Sequence, residues 1–522
     1  MIIQKSDMGN YISIQQDSSN PNLSSDLASS MASNPQQNLF HFENLTFDST
    51  FESGNLMYVD KISEDLYHLW IAPDCYQTQY ETKNRVWFYF KVTGPPLQEE
   101  VSSRQITFRI INMNKLEHKN YKEGMVPVYS SPRNNNTWDY IPTPLTDFQT
   151  GNGRSIEIEF QYNFNSLEIQ QGVFFAFTFP YTHSDCLEFL ANLEKNYNQH
   201  PSIYLQRDIL TYSLKGLRID SLVLTKNHKV PQILLNHTLN KSLLFGNKRY
   251  IILSARVHAA ESPANFMLQG LVNSLLNLDD PVSQILLENF VFVIVPMLNP
   301  DGVYNGHYRM DIKGRDLNRS YIKYEEDPED HPSTYALMEI ARYLSESGKL
   351  AMYLDFHAHS NQNSGFLIGR FTKNLEIRRE MRLFARVMDI YSKNFDFNSC
   401  KYTTEKDSLD PDHQGVSSVC VQDKTNILHS YTFESGYHMT EKDEDRYCEE
   451  KNMLRDLGVK KMTRMGIKDF EEMGECVRHA LCEVLLGQHP DSKVNKTWFG
   501  NVADLRSQIA NDLLKEQEEK GN

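Results

Sequence analysis

The segment Val257-His258-Ala259-Ala260-Glu261 sets an imidazole and a carboxylate three residues apart, where an apolar strand pattern gives way to a helical one. On such a loop both side chains can reach one metal ion, and an imidazole nitrogen with a carboxylate oxygen at ~2.0–2.2 Å suits Zn²⁺. H-x-x-E alone recurs by chance, so this chemistry calls for more donors. A catalytic zinc takes a third protein ligand and keeps a position open. Asp355-Phe356-His357-Ala358-His359, at the end of a later core strand, offers two candidates. His357 and His359 share one face of an extended chain, and periodicity does not choose between them. Both segments fall where open α/β sheets form their sites, outside the carboxyl ends of strands.

A hydrolytic site also needs a base. Tyr431-Thr-Phe-Glu434-Ser-Gly436 puts a carboxylate beside Phe433 in an aromatic strand, which is costly unless the charge is partnered or functional. Between the metal-binding candidates lie the turn Asn299-Pro-Asp-Gly302, then Tyr308-Arg309 and Asp316-Leu-Asn318-Arg319. Two arginines and an asparagine can clamp a carboxylate and polarise a carbonyl.

The elements that must hold these residues fall into two textures. Aromatic and β-branched runs over 85–92, 106–111, 155–160 and 173–179 predict strands with no long helix between them, and hence a β-sandwich. A helix is expected over 186–197. From about Tyr204 strands (250–255, 290–295, 352–356) alternate with helices (from Pro263, 334–344, 469–486), which predicts an α/β domain with a mixed or parallel sheet. Ser262 reads as the cap of the helix opened by Pro263. The expected division is a polar, disordered head over 1–38, a β-sandwich domain over 39–185, a catalytic domain over 186–490 and a C-terminal tail over 491–522, whose last fifteen or so residues are charged and read as a frayed helix.

At 522 residues the chain is long enough for two to four domains. Lys plus Arg total 53 against 68 Asp plus Glu, a formal charge of −15, which argues against nucleic acid as the main partner. Seven scattered cysteines without C-x-x-C speak against a cysteine zinc site or a disulfide framework, and for a reducing, cytosolic setting. No apolar run approaches the ~20 residues of a membrane helix. The start, Met1-Ile-Ile-Gln-Lys5, does not read as a signal peptide.

In order and type, H-x-x-E, the Asn-Arg pair, the distal histidine and the glutamate resemble the zinc metallocarboxypeptidases. The chain is similar to their cytosolic carboxypeptidase branch, in its tubulin-deglutamylating subtype, whose members carry a β-sandwich before the catalytic domain. The likeness runs over roughly 40–490. It rests on Phe51-Glu-Ser-Gly-Asn-Leu56, Asn112-Met-Asn-Lys115, Pro180-Tyr-Thr-His-Ser-Asp-Cys186, Pro296-Met-Leu-Asn-Pro-Asp-Gly-Val303, Gly306-His-Tyr-Arg309, Leu317-Asn-Arg319, Asp355-Phe-His357 and His429-Ser-Tyr-Thr-Phe-Glu434. The resemblance implies a metallocarboxypeptidase mixed-sheet fold and one Zn²⁺ per chain held by His258, Glu261 and His357. It implies Glu434 as general base and acid, Arg309 as the oxyanion arginine, and Asn318 with Arg319 on the substrate's terminal carboxylate. The implied substrate is glutamate on polyglutamylated proteins, chiefly tubulin tails and including branch points. The implied partner is microtubules or another polyglutamylated protein, met by a monomer in the cytoplasm, on the cytoskeleton or in cilia, with neither nucleic acid nor membrane involved.

Two departures qualify that expectation. The family usually has Pro-Gly where Ala259-Ala260 stands, and an alanine there is expected to strain a backbone that favours φ > 0. Related enzymes place an arginine sixteen positions before the catalytic glutamate to read an acidic side chain, and here that position is Ser418, with Lys424 as the nearest substitute. No tyrosine lies between Tyr402 and Tyr431 to match the mobile one of digestive carboxypeptidases. The departures keep two rivals open: a carboxypeptidase with another side-chain preference, and a weakly active microtubule- or polyglutamate-binding module. An acidic protein acting on polyglutamate also needs a locally positive mouth. Candidates are Arg309, Lys313, Arg315 and Arg319, and the run Arg378, Arg379, Arg382 and Arg386, which otherwise reads as a solvated helix face.

Overall fold

The computed structural model describes residues 2–5, 12–15, 38–98, 100–115, 118–150, 155–226, 247–370, 372–402, 414–442 and 461–521. Of the head over 1–38, the described part is residue 38 and two strands, Ile2–Lys5 and Ile12–Gln15, paired antiparallel. The rest of that expectation lies outside the described residues.

The first texture folds as two sheets. One has six strands, in the order Trp138–Tyr140, Val128–Ser130, Val173–Ala176, Tyr89–Thr93, Thr46–Asp48 and Leu39–His41. The other has five, in the order Asp147–Thr150, Ser155–Phe164, Arg104–Asn114, Leu66–Trp70 and Tyr58–Lys61. Ser155–Phe164 buries every second residue, as period-2 alternation requires of a strand with one wet face. The buried faces meet through rings. Phe108 of the five-stranded sheet lies 5.3 Å from Phe175 and 6.0 Å from Phe47 of the six-stranded one. This is the expected sandwich.

The second texture forms one eight-stranded sheet. Its strands are β1 (Ile203–Tyr212), β2 (Arg218–Lys226), β3 (Arg249–Ala255), β4 (Phe290–Val295), β5 (Leu350–His359), β6 (Gly365–Gly369), β7 (Lys401–Tyr402) and β8 (His429–Gly436). Their order is β1-β2-β4-β3-β5-β8-β6-β7. The centre, β4-β3-β5-β8, is parallel, β1 and β2 run antiparallel to their neighbours, and β6 runs antiparallel to β8 and parallel to β7, so the sheet is mixed.

Helices cover both faces. Ile251, Leu253, Phe292 and Phe356 pack with Leu271 of α2 (Pro263–Leu275) and Phe470 of α6 (Ile467–Ala480). Ile252, Val291, Val293 and Tyr353 pack with Leu337 and Leu344 of α3 (Pro332–Glu346) and Val421 of α5 (Ser417–Thr425). Burial on both faces is why the central strands read as continuous apolar runs. Helices α2 and α6 touch through glycines: a Cβ on Gly474 would sit 1.7 Å from the Met267 carbonyl oxygen.

Boundaries moved where caps decide them. Helix α1 (His183–Tyr197) begins three residues before the expected start, because Thr182 and Asp185 close a reciprocal capping box, so the helix crosses the expected 185/186 boundary. Ser262 makes no side-chain cap and is itself helical in φ and ψ. The charged tail is a twenty-residue helix, α7 (Val502–Gly521). It is not frayed: Leu505, Ile509 and Leu513, spaced four apart, are buried where it packs on α4 (Leu375–Tyr391). Among the described residues no helix is long and apolar enough to cross a membrane. The six described cysteines are unpaired, and Cys448 lies outside the described residues.

Candidate active site

His258 and Glu261 lie on the loop after β3, and His357 near the end of β5, the strand beside it. One ligand atom from each falls within 4.8 Å of the others, and all three side chains are buried. The Nδ1 atoms of His258 and His357 face the two oxygens of Glu261, at 2.7 and 2.9 Å. Their Nε2 atoms are already engaged: His258 with Asp316 Oδ1 at 3.1 Å, His357 with Asp355 Oδ2 at 2.9 Å. Carboxylates behind both rings fix the ring orientation and leave both Nδ1 atoms turned inward, the outer-shell arrangement that metal-binding histidines need. Two nitrogens and a carboxylate are a zinc donor set, and the residues present fit that metal. His359 stays outside the cluster, with its Nδ1 accepting the Asn361 N–H at 3.0 Å.

The Ala-Ala departure does not strain the loop as expected. Neither Ala259 nor Ala260 takes a positive φ; Arg256 does, at +58°. The buried Arg256 guanidinium donates to the Ala259 carbonyl at 2.7 Å and to Asn265 Oδ1 at 2.8 Å, and the Ala260 N–H donates to the Tyr308 carbonyl at 2.8 Å.

Asp316 is the residue that the sequence did not single out. Besides engaging His258, it receives Arg309 Nε and Nη2 on Oδ2 at 2.8 and 2.7 Å, and the Asn318 N–H on Oδ1 at 2.9 Å. Burial would raise its carboxyl, but His258, Arg309 and Arg319 hold it well below the usual carboxylate range. The half-buried Arg309 is thereby stretched along the cluster, with Nη1 4.0 Å from Glu261 Oε1. Asn318 is buried and accepts the Ser417 N–H, and Arg319 Nη1 donates to the Asn318 carbonyl at 3.0 Å. The signal that could have flagged Asp316 is its place two residues before Asn318, where its side chain caps a short 3₁₀ turn.

Glu434 stands on β8 in register with His357 on β5. It is buried, and its Oε2 has no hydrogen-bond partner among the described residues. Burial pushes its carboxyl up to about 7, against the pull of His357 and with a further push from Glu261.

The remaining candidates separate by partner. Lys313 and Arg315 pair with Asp330. Arg382 makes a two-pronged pair with Glu516 of α7, Arg378 reaches the same carboxylate, Arg379 pairs with Glu380 and Arg386 with Asp389. The arginine run is thus neither a substrate mouth nor a bare solvated face; it seats the C-terminal helix. Burial, with smaller contributions from Lys401 and Lys119, holds the His359 imidazole down to about 4, and Arg309 lies on the cluster itself. Ser418 is buried, with its hydroxyl 3.0 Å from Thr432 Oγ1. Lys424 is exposed and reaches Glu325 at 3.5 Å, so it does not stand in for an arginine at Ser418.

Zinc carboxypeptidase is the family description that matches residues 187–454, and the cytosolic carboxypeptidase N-terminal domain matches residues 47–176. The chain belongs to the zinc carboxypeptidase family. Among curated relatives, the mouse cytosolic carboxypeptidase-like protein 5 is 28% identical over 76% of this chain and 58% of its own length. The mouse cytosolic carboxypeptidase 6 is 30% identical over 69% of this chain and 62% of its own. The chain spans about three fifths of the length of these relatives. A solved metallo-carboxypeptidase from Burkholderia cenocepacia shares the fold with a TM-score of 0.60 at 20% identity, over 84% of this chain and 98% of that one. The metal of a zinc carboxypeptidase matches the donor set formed by His258, Glu261 and His357.

Proposed function

We propose that the protein is a zinc-dependent carboxypeptidase that removes glutamate from the ends of glutamylated protein tails, tubulin tails among them. One observation carries this reading: a buried carboxylate oxygen with no hydrogen-bond partner among the described residues, Glu434 Oε2, stands in register with one of three converging metal donors. Bound at His258, Glu261 and His357, Zn²⁺ would supply Lewis-acid polarisation of the scissile carbonyl.

The rest is the chain's own work. Glu434 takes a proton from the attacking water and returns it to the departing amine nitrogen. Its buried setting favours the protonated form between those two transfers. Arg309, anchored through Nε and Nη2 to Asp316, keeps Nη1 on the side of Glu261 and donates to the developing oxyanion. Asn318 and Arg319 hold the terminal carboxylate, which makes the enzyme an exopeptidase.

A second reading has its own observation. Ser418 is committed to Thr432 and Lys424 to Glu325, so neither offers a cation to an acidic side chain. That favours a carboxypeptidase of neutral or aromatic ends. One experiment separates the two. The protein is incubated with glutamylated tubulin peptides of defined branch and chain structure, and with matched peptides ending in Glu, Gln and Phe, each with and without a zinc chelator, and mass loss is followed. The first reading expects chelator-sensitive loss of glutamate; preference for Gln or Phe ends supports the second; no loss from any peptide sinks both. The metal is checked directly: about one zinc per chain, lost in His357→Ala and kept in His359→Ala.

A further inference from the structure

The segment carrying Arg309 has no ladder of its own. It runs between the helix Pro300–Tyr304 and the 3₁₀ turn Leu317–Arg319, and its backbone groups must find partners elsewhere. The Tyr308 and Met310 carbonyls find theirs within the catalytic domain, from Ala260 N–H and from Asn299 Nδ2, but the N–H groups of 308–310 find theirs in the N-terminal domain. Asp74, 1% exposed, lies in the connection between the sandwich strands Leu66–Trp70 and Tyr89–Thr93. Its Oδ1 accepts the Tyr308 N–H at 2.5 Å, and its Oδ2 accepts the Arg309 and Met310 N–H groups at 2.9 and 3.0 Å. Three successive backbone N–H groups closing on one carboxylate form an anion-binding nest, here filled by a side chain of the same protein.

Asp74 is itself fixed. Its N–H donates to Asn84 O, and its carbonyl accepts the Thr82 N–H, both at 3.0 Å. Contacts on either side keep the two surfaces in register: Asn55 Nδ2 donates to Gly306 O at 3.1 Å, and Ser53 Oγ to Val303 O at 2.7 Å. The approach is too close for a side chain. Gly306 has φ +67°, and a Cβ there would sit 2.6 Å from Gly54 O.

We propose that Asp74 is the positioning residue for Arg309: the N-terminal domain reaches into the catalytic domain and holds the backbone from which the oxyanion arginine projects. Asp316 fixes the guanidinium end of that side chain and Asp74 its root. This rests on the carboxypeptidase reading for what Arg309 does, and on the carboxylate nest alone for how it is held. The N-terminal domain is then part of the active site rather than a detachable module.

The first test uses the unaltered protein. Residue-resolved amide hydrogen exchange should show Tyr308, Arg309 and Met310 protected although they lie in a loop; exchange at the rate of an open loop overturns the proposal. The second test is Asp74→Asn. An amide cannot accept at both of its ends, so protection at 308–310 should fall. On a cleaved peptide kcat should drop about 10²-fold, the effect of a misplacement of about 1 Å, with KM nearly unchanged. In an Arg309→Ala background, Asp74→Asn should lower kcat no further. An equal drop in both backgrounds means that Asp74 does not act through Arg309, and overturns the proposal. Should Asp74→Asn fail to fold, the exchange of the unaltered protein still decides. Should the unaltered protein cleave no peptide, the carboxypeptidase reading falls, and the exchange pattern alone decides whether the nest holds the loop.

Discussion

Two strands, one from each half, show how differently the domains are built. Ser155–Phe164 of the sandwich alternates Ile156, Ile158, Phe160, Tyr162 and Phe164 inward with Ser, Glu, Glu, Gln and Asn outward. His429–Gly436 of the catalytic sheet is buried at every position, yet His429, Ser430, Thr432, Glu434 and Ser435 are polar. The sandwich strand turns its polarity to the outer face, where Glu159 pairs with Arg109 and Gln161 with Gln105. The catalytic strand must satisfy its polarity internally: Ser430 Oγ donates to the Ser418 carbonyl at 2.6 Å, Thr432 meets Ser418, and His429 meets the Tyr431 hydroxyl at 2.8 Å. Glu434 Oε2 is the exception on that strand, with no hydrogen-bond partner among the described residues. A buried group left unmatched among carefully matched neighbours marks where stability has been given up for chemistry.

The largest effect that tests this contrast is on turnover. Glu434→Gln should lower kcat by ~10²–10⁴-fold, the usual loss on removing a general base, while zinc content stays at that of the unaltered protein. Its urea midpoint should be equal or higher, because a neutral amide lifts the burden of an unpartnered buried carboxylate. A variant that turns over normally, or that unfolds earlier, would break the assignment of strain to this one residue.

The sandwich should answer in the opposite way. Phe108 is fully buried and lies within 6.4 Å, ring centre to ring centre, of Phe47, Phe90, Phe160, Phe164 and Phe175. Phe108→Ala should cost ~3–5 kcal/mol of stability and leave turnover per folded molecule unchanged. Denaturant unfolding, paired with active-site titration, measures both. Lost turnover in a fully folded variant would contradict the division.

The same contrast explains what was legible in the sequence. Alternation gave away the sandwich strands, because one of their faces is wet. Strand and helix alternation gave away the α/β domain. His258, Glu261 and Glu434 stood out because their types are unusual at strand ends and in an aromatic strand. Periodicity left His357 and His359 tied, since both point to one face. The structure separates them by partners, Asp355 and Glu261 for one, Asn361 for the other. Asp74 and Asp316 were not legible. Asp316 acts by joining His258 to Arg309, and Asp74 meets Arg309 across 235 positions of chain. No local pattern encodes a contact that only the docking of two domains creates. The arginine run of α4 misled for a related reason: its acidic partner Glu516 lies 134 positions away from Arg382.

Acid should find the catalytic half first. His429 and His438 are buried there, and burial lowers both to about 3. Arg249 faces the first and Arg464 the second, and each disfavours a further positive charge. An unfolded histidine titrates near ~6.5, so between about 3 and ~6.5 the unfolded chain binds more protons than the folded one. Stability is therefore full above ~6.5 and is lost as pH falls toward about 3, by ~2 kcal/mol per histidine at pH ~5. Among the described residues both ring nitrogens of His438 lack hydrogen-bond partners, which makes it the cleaner probe. His438→Leu should be nearly neutral at pH ~7.5 and should recover ~2 kcal/mol of the loss at pH ~5. Urea midpoints at the two pH values read this out, and an unchanged pH dependence in the variant removes His438 as a source of acid lability.

The smallest effect concerns the helix that the arginine run seats. Arg382 and Glu516 pair in two-pronged fashion at 2.7 and 3.0 Å, but their side chains are 20% and 38% exposed. Solvent screens such a pair, so the coupling energy from a double-mutant cycle with Arg382→Ala and Glu516→Ala should be only ~0.5–1 kcal/mol. It should shrink further at ~1 M salt, where screening acts over ~3 Å. The apolar contacts of Leu505, Ile509 and Leu513 then carry most of the docking of α7. The pair also discriminates between two roles for positive charge. If Arg382 only seats the helix, Arg382→Ala leaves kcat/KM unchanged for acidic and neutral peptides alike. If it steers acidic tails, kcat/KM for glutamate-rich peptides falls with a salt dependence that neutral peptides do not share. Because Glu516 already occupies the guanidinium, the first outcome is expected.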